Sequence, residues 1–437
     1  MGFGPRWSRL ARTAALALAA LTLSAPTAQA AWSSPFEFAP PGTLDVLPSQ
    51  IAFSSRGAVA VAYGVFNLDA PASSQAFVTV RNPSGVVGAP QPIPGAQQVL
   101  GLSYDGPSLE LVTGSSPPSL ACCSSAEAVS LAPNGAFGPA RTLVGGLAGA
   151  TLGRILTLGD GRMVAAVATA RGIWANESTR ADRFATTHRL VGRSAVPQSL
   201  AAATIGRVGS TVAWTAARFS GQDARSISVA ASSRRSAPRR SRVAITIPAG
   251  RAIDELGLAG GPTNATAAWI ESWQDGGGRR HSVAEASALS GQPRGQTLSP
   301  PGQAASGLSL AGNGRGAIAA AWKSCGSGGG CSVWAAAPGA HGPFARAASL
   351  GAIDSTQTPA VSVARDGEVL VGWVQGGHPM AAKRAGHGRR FGAPQRLSAT
   401  HFAADLALAF GSAHEALAAW TQGTLNPSVV GAVFAGR

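Results

Sequence analysis

From Phe36 onward the chain is a succession of short runs in which apolar and polar residues alternate, broken by Gly, Pro, Asn and Asp at roughly ten-residue intervals. A period of two predicts strands, not helices. The stretch Thr358–Leu397 shows the unit most openly: Ala360–Ala364, a turn at Asp366-Gly367, Val369–Trp373, then Met380–Lys383 and a last strand between Phe391 and Leu397. Two elements of this unit recur. One is an apolar run ending in an aromatic residue, as in Gly57–Tyr63, Gly316–Trp322, Glu368–Trp373 and Glu415–Trp420. Trp214 and Trp269 end similar runs, and Val112 and Val167 stand where the aromatic is missing. The other pairs an aromatic or apolar residue with a downstream Leu or Ile: Phe38/Leu44, Val87/Ile93, Phe137/Leu143, Phe184/Leu190, Phe344/Leu350 and Phe391/Leu397. Both recur at a spacing of roughly 50 residues.

A four-stranded antiparallel unit of that length, repeated, resembles a β-propeller blade. The fold class expected is all-β: one propeller over residues 31–437, with eight four-stranded blades, or seven if the poorly matched second or third unit forms none. The ends support closure. Phe36–Leu44 is an outer strand with no inner strands before it, while Leu406–Phe410, Ala416–Trp420 and Val429–Phe434 lack a fourth. A 3+1 ring removes both exposed edges. The repeated Trp is read as packing between blades. The resemblance is to an architecture. There is no Trp-Asp repeat, sialidase-type aspartate turn or kelch glycine pair in register, so no family residues carry over.

Residues 1–30 read as a secretory leader: Arg6, Arg9 and Arg12, an apolar run over Thr13–Leu23, and Ala28-Gln29-Ala30 as the cleavage site. No later stretch is apolar for the ~18 residues of a membrane helix, so the mature chain is expected to be exported and soluble, without a transmembrane segment. The four cysteines fit an oxidising compartment. Cys325 and Cys331 flank Gly-Ser-Gly-Gly-Gly, a loop stapled at its base; Cys122-Cys123 is a vicinal bond or a reduced pair. Gly 56 and Pro 29 make turns frequent and long helices unexpected.

The charge balance, Lys+Arg 35 against Asp+Glu 20, gives +15. Arginines cluster at Arg234-Arg235, Arg239-Arg240, Arg279-Arg280 and Arg389-Arg390. Such a chain is drawn to polyanions. Export and the lack of aromatic–basic interleaving point away from nucleic acid and toward an extracellular polyanion, a glycan or a protein.

Candidate chemistry concentrates in the second-to-third-strand loops of blades four to seven. Glu271, Trp273, Asp275, Arg279, Arg280 and His281 are the ligand-binding candidates: an aromatic platform flanked by charges that fix orientation. The alternative is that Trp273 folds back over its own loop. Asp254 and Asp405, at equal phase in blades five and eight, are the acids a carbohydrate-active enzyme would use at the channel mouth; capping a turn is their other reading. Tyr104-Asp105 is the one remaining place for a sialidase-type tyrosine. The histidines form no H-x-x-x-H pair, Gly326–Gly330 lacks a phosphate-loop lysine, and no metal or cofactor is expected. Asn176-Glu-Ser and Asn264-Ala-Thr are glycosylation sequons. The balance of these readings is a binding or scaffold protein, with a glycoside hydrolase or lyase as the rival.

Overall fold

The computed structural model describes residues 32–435 apart from 41, 43–44, 47–49, 67–72, 116–124, 146–151, 170–171, 179–183, 185, 191–195, 208, 218–222, 233–240, 290–294, 338–343, 387, 389, 412–414 and 425. The expected leader, Leu44, Cys122-Cys123, Arg234-Arg235, Arg239-Arg240 and Arg389 lie outside the described residues.

The described chain is strand and turn throughout, arranged as eight antiparallel sheets. Blades 1 to 7 span residues 45–92, 98–144, 152–189, 196–246, 251–297, 304–352 and 360–396. Blade 8 takes Ala403–Phe410, Glu415–Gln422 and Ser428–Ala435 from the C-terminus and Phe36–Ala39 from the N-terminus, in the order outermost Phe36–Ala39 to innermost Ala403–Phe410. The expected 3+1 closure is present, and the second and third units each form a blade. The first strand of blade 1 is split into Asp45–Val46 and Gln50–Phe53, both paired with Val59–Phe66. Each innermost strand packs on the next, and Gln50–Phe53 touches both Gln98–Asp105 and Ala403–Phe410, completing the ring.

The second strand of each blade lies between two neighbouring sheets. Met163–Thr169 is accordingly buried along its whole length, and such strands are Ala/Val runs with little polar alternation. The repeated aromatics reach back to the preceding blade: Trp269 to Ile227 and Val229, Trp322 to Ile270 and Ala284, Trp373 to Val333, Trp420 to Val374, and Tyr63 to Leu417. Fully buried alanines opposite them leave room for the indoles. Val112 also packs between blades, but on the other side. It packs forward on Ile155 and Val167 of blade 3, and Leu109 and Leu111 fill the slot toward blade 1. One residue of slip exchanges the two faces of a strand, so a spacing accurate to a single residue is needed to assign it.

Strand alternation fixes which turns share an end of the ring. Each first strand begins at the same end as the turn between second and third strands; this is the upper face. Blade 6 contributes the bonded Cys325–Cys331 turn there, blade 7 the tight turn at Gly376-Gly377. Asn176 of the first sequon is fully buried within Gly172–Ser178, where a glycan cannot be accommodated on the folded chain.

Candidate functional site

The six ligand-binding candidates lie together at the upper end of blade 5, but on strands as much as on a loop. The hairpin Ala265–Gln274 and Arg280–Ala288 runs past Trp269, and only 275–279 form the turn. Asp275 Oδ1 accepts the backbone N–H groups of Gly277 and Arg279, at 3.0 and 2.9 Å, which shapes that turn. Because these residues are in strands, alternation deals them onto two faces.

Glu271, Trp273 and His281 share the face that carries Trp269, toward blade 4. Arg251, Trp273 and His281 are cross-strand partners on three adjacent strands. The Arg251 guanidinium lies 4.6 Å from the Trp273 ring centroid, and the His281 ring stacks on it at 5.4 Å and 13°. Arg251 Nη1 donates to the buried Glu271 at 2.5 Å, and the Trp269 indole N–H donates to the other oxygen at 3.5 Å. His281 Nε2 lies 2.8 Å from Asp275 Oδ2. That bond, with the turn's backbone donors, holds the Asp275 carboxyl below its ordinary range. Trp273 therefore has a ring on one side and a cation on the other, and in this conformation it offers no open platform.

Asp254 and Arg280 occupy the opposite face, toward blade 6. Arg280 Nη2 donates to Asp254 Oδ2 at 2.6 Å and to Ser272 Oγ at 3.4 Å. Its side chain is still 67% exposed, and Arg279 beside it is exposed as well.

The two channel-mouth acids have the equal phase that their spacing suggested, each inside a bulge at the start of an innermost strand. They differ in setting. Asp254 is engaged by Arg280. Asp405 has a left-handed backbone, φ 53°, with its N–H donated to Gln357 Oε1 at 2.9 Å. Asp405 is exposed, and the protein packed beside it removes only part of the water around its carboxyl, which pushes its pKa up. Gln357 is itself fixed: its carbonyl and that of Ser355 accept Lys323 Nζ. Burial lowers the Lys323 pKa. Glu255 of blade 5 receives the backbone N–H groups of Gly307 and Leu308 in blade 6, at 2.8 and 2.5 Å, so blades 5 to 8 are tied together around the mouth.

Sequence reasoning passed over the residues beside Asp405. Phe402 has φ 67° and is 63% exposed. His401 lies next to it, its ring 3.9 Å from that of the buried His378. No glycine marks this backbone, so nothing in the local sequence signalled it. A usable signal existed elsewhere: Trp-x-Glu and Trp-x-Gln place an acceptor on the face of the indole, as Glu271 does for Trp269 and Gln422 for Trp420. Tyr104 is unsuited to act as a nucleophile, since burial pushes its phenol up to about 12. Among the described residues no three His, Cys, Asp or Glu side chains are grouped to hold a metal ion.

No family model matches the chain, and no curated protein matches it. Solved structures do resemble it. Polysaccharide lyase Uly1 aligns over 94% of this chain and 94% of its own, with 7% identity and a TM-score of 0.50. A Penicillium chrysogenum α-L-arabinanase complexed with arabinobiose aligns over 92% and 98%, with 9% identity and a TM-score of 0.45. A Dyadobacter fermentans protein of unknown function aligns over 93% and 99%, with 8% identity and a TM-score of 0.42. At 7% identity the likeness to Uly1 is one of fold alone, and with the ring of eight sheets it makes the chain a β-propeller.

Proposed function

We propose that the protein is exported and captures an acidic polysaccharide on the rim that blade 5 adds to the upper face. The observation that carries this reading is Arg280. Its Nη2 is used by Asp254 and Ser272, while Nε and Nη1 have no protein partner among the described residues and most of the side chain meets solvent. A guanidinium has five donors in a planar fork, so a polymer carboxylate can be received without breaking the existing pair. Arg279 adds a second exposed cation, and the net charge of +15 draws a polyanion from a distance. The Arg251–Trp273–His281 stack serves as the stiff support for these cations. The Cys325–Cys331 bond stiffens the neighbouring blade-6 turn, and a disulfide fits an oxidising, extracellular compartment. No helix among the described residues is long and apolar enough to cross a membrane.

Affinity electrophoresis through polygalacturonate tests the proposal. The wild-type chain should be retarded, and the retardation should fall as salt rises. Arg279→Ala with Arg280→Ala should weaken binding about tenfold or more, with an unchanged thermal midpoint. Equal retardation of the variant would place the binding elsewhere.

A hydrolase or lyase acting through Asp405 is the second reading. Its strained backbone and raised pKa favour it, since both are features of acids placed for catalysis. Cleavage of a polysaccharide by the wild-type chain that is absent from Asp405→Asn would identify it.

A further inference from the structure

We infer that Phe402 and Asp405 form a sugar-ring subsite at the channel mouth, taking an uncharged residue of a glycan chain. It is a separate place from the blade-5 rim and stands whether or not the rim binds an acidic polymer.

A bulky residue in the left-handed region is a genuine outlier, and here two non-glycine residues adopt it within four positions, Phe402 at φ 67° and Asp405 at φ 53°. Such a conformation persists only where the surroundings hold it. Phe402 O accepts the N–H of Gly423 at 3.0 Å, and Ala403 N donates to Gly377 O at 2.9 Å. Gly377 is held in turn: Asp354 Oδ1 and Oδ2 accept the N–H groups of Gly376 and Gly377 at 2.7 and 2.9 Å. The segment also fits tightly, since a Cβ on Gly377 would lie 3.0 Å from Phe402 N. Two turns, at Gly376-Gly377 of blade 7 and Gly423 of blade 8, thus hold the backbone in place, the first of them braced by Asp354, while the phenyl ring is 63% exposed.

Burial would be the ordinary use of a phenylalanine, and this one is held out at a backbone cost. A fixed aromatic face suits the C–H face of a sugar ring, and it loses little freedom when the ring arrives. Asp405 supplies an acceptor for sugar hydroxyls. Its carboxylate would repel a uronate at the same place, which selects an uncharged sugar.

Titration calorimetry of the full chain with cellohexaose, xylohexaose, mannohexaose, maltohexaose, chitohexaose and arabinohexaose tests this. At least one should bind with a submillimolar Kd. Phe402→Gly should weaken that binding about tenfold or more, while the thermal midpoint stays level or rises, because glycine relieves the left-handed backbone. Phe402→Tyr should keep the affinity. Arg279→Ala with Arg280→Ala should leave it unchanged, which separates this subsite from the rim. Absence of binding by all six sugars would overturn the inference. So would a Phe402→Gly variant that loses stability and keeps its affinity. Should the Gly variant unfold, loss of affinity in a folded Phe402→Tyr would equally overturn it.

Discussion

Gly260→Ala is expected to lower the unfolding free energy by about 3 kcal/mol or more, the upper end of what overpacking costs. Gly260 ends the innermost strand Arg251–Gly260 and is buried where blade 5 meets blade 4. A Cβ there would lie 1.6 Å from the carbonyl oxygen of Thr204 and 2.7 Å from its carbon. Both backbones are fixed by their own ladders, Gly260 opposite Ala265 and Thr204 opposite Ser210. Neither can move without parting the two innermost strands, and the ring transmits that displacement to its neighbours. Gly276, at the tip of the same blade's hairpin, has nothing within 4 Å of an added Cβ and serves as the control. Urea unfolding of both variants should show a large fall in midpoint for Gly260→Ala and almost none for Gly276→Ala. Equal midpoints would mean that blades 4 and 5 are packed differently from this description.

Removal of the N-terminal strand should be still more damaging. Phe38 is 1% exposed, and its ring fills the space over Gly431, where a Cβ would lie 2.6 Å from Phe38 Cε2. Thr79 Oγ1 donates to Phe38 O at 2.9 Å, so the strand also ties blade 8 to blade 1. Ser33 exchanges hydrogen bonds with Val433, and Trp32 packs on Phe434 at 5.4 Å. Losing a buried Phe alone costs about 3–5 kcal/mol, comparable to the whole stability of many domains. The deletion also bares the edge of Ser428–Ala435, a long apolar strand ready to pair with another chain. A chain beginning at Pro41 should therefore aggregate on size-exclusion chromatography, whereas one beginning at Ala31 runs as a single species. A shortened chain that stays discrete with an unchanged thermal midpoint would contradict the closure.

The architecture was legible because repetition amplifies weak signals. One Ala/Val run ending in Trp says little, but its return at Trp269, Trp322, Trp373 and Trp420 exposes the blade, and the incomplete ends expose the closure. The residue-level detail was less legible. Val112 matches the aromatic positions in spacing but packs on the opposite neighbour, a one-residue difference in facing that a repeat of about 50 residues is too coarse to show. The candidates of blade 5 do cluster as their proximity suggested, yet the covering of Trp273 depends on the hairpin extending past Trp269 and on Arg251, contributed by another strand. Asp254 and Asp405 share a phase in the sequence, and only three-dimensional neighbours distinguish them: Arg280 beside one, Gln357 and a left-handed backbone at the other. Phe402 shares its phase with Arg251, a residue of quite different chemistry, so the repeat gave no hint of an exposed aromatic; its conformation is imposed by Gly377 and Gly423, which come from two other turns.

The proposed binding place for an acidic polymer is the upper face of blade 5. Hydrogen exchange of the full chain with and without polygalacturonate measures this directly. Slowed exchange is expected in the hairpin around 274–282 and the adjoining start of the innermost strand at 251–255 alone, with the lower turns around 133–136 and 366–367 unchanged. Protection at those lower turns, with none in the hairpin, would contradict it.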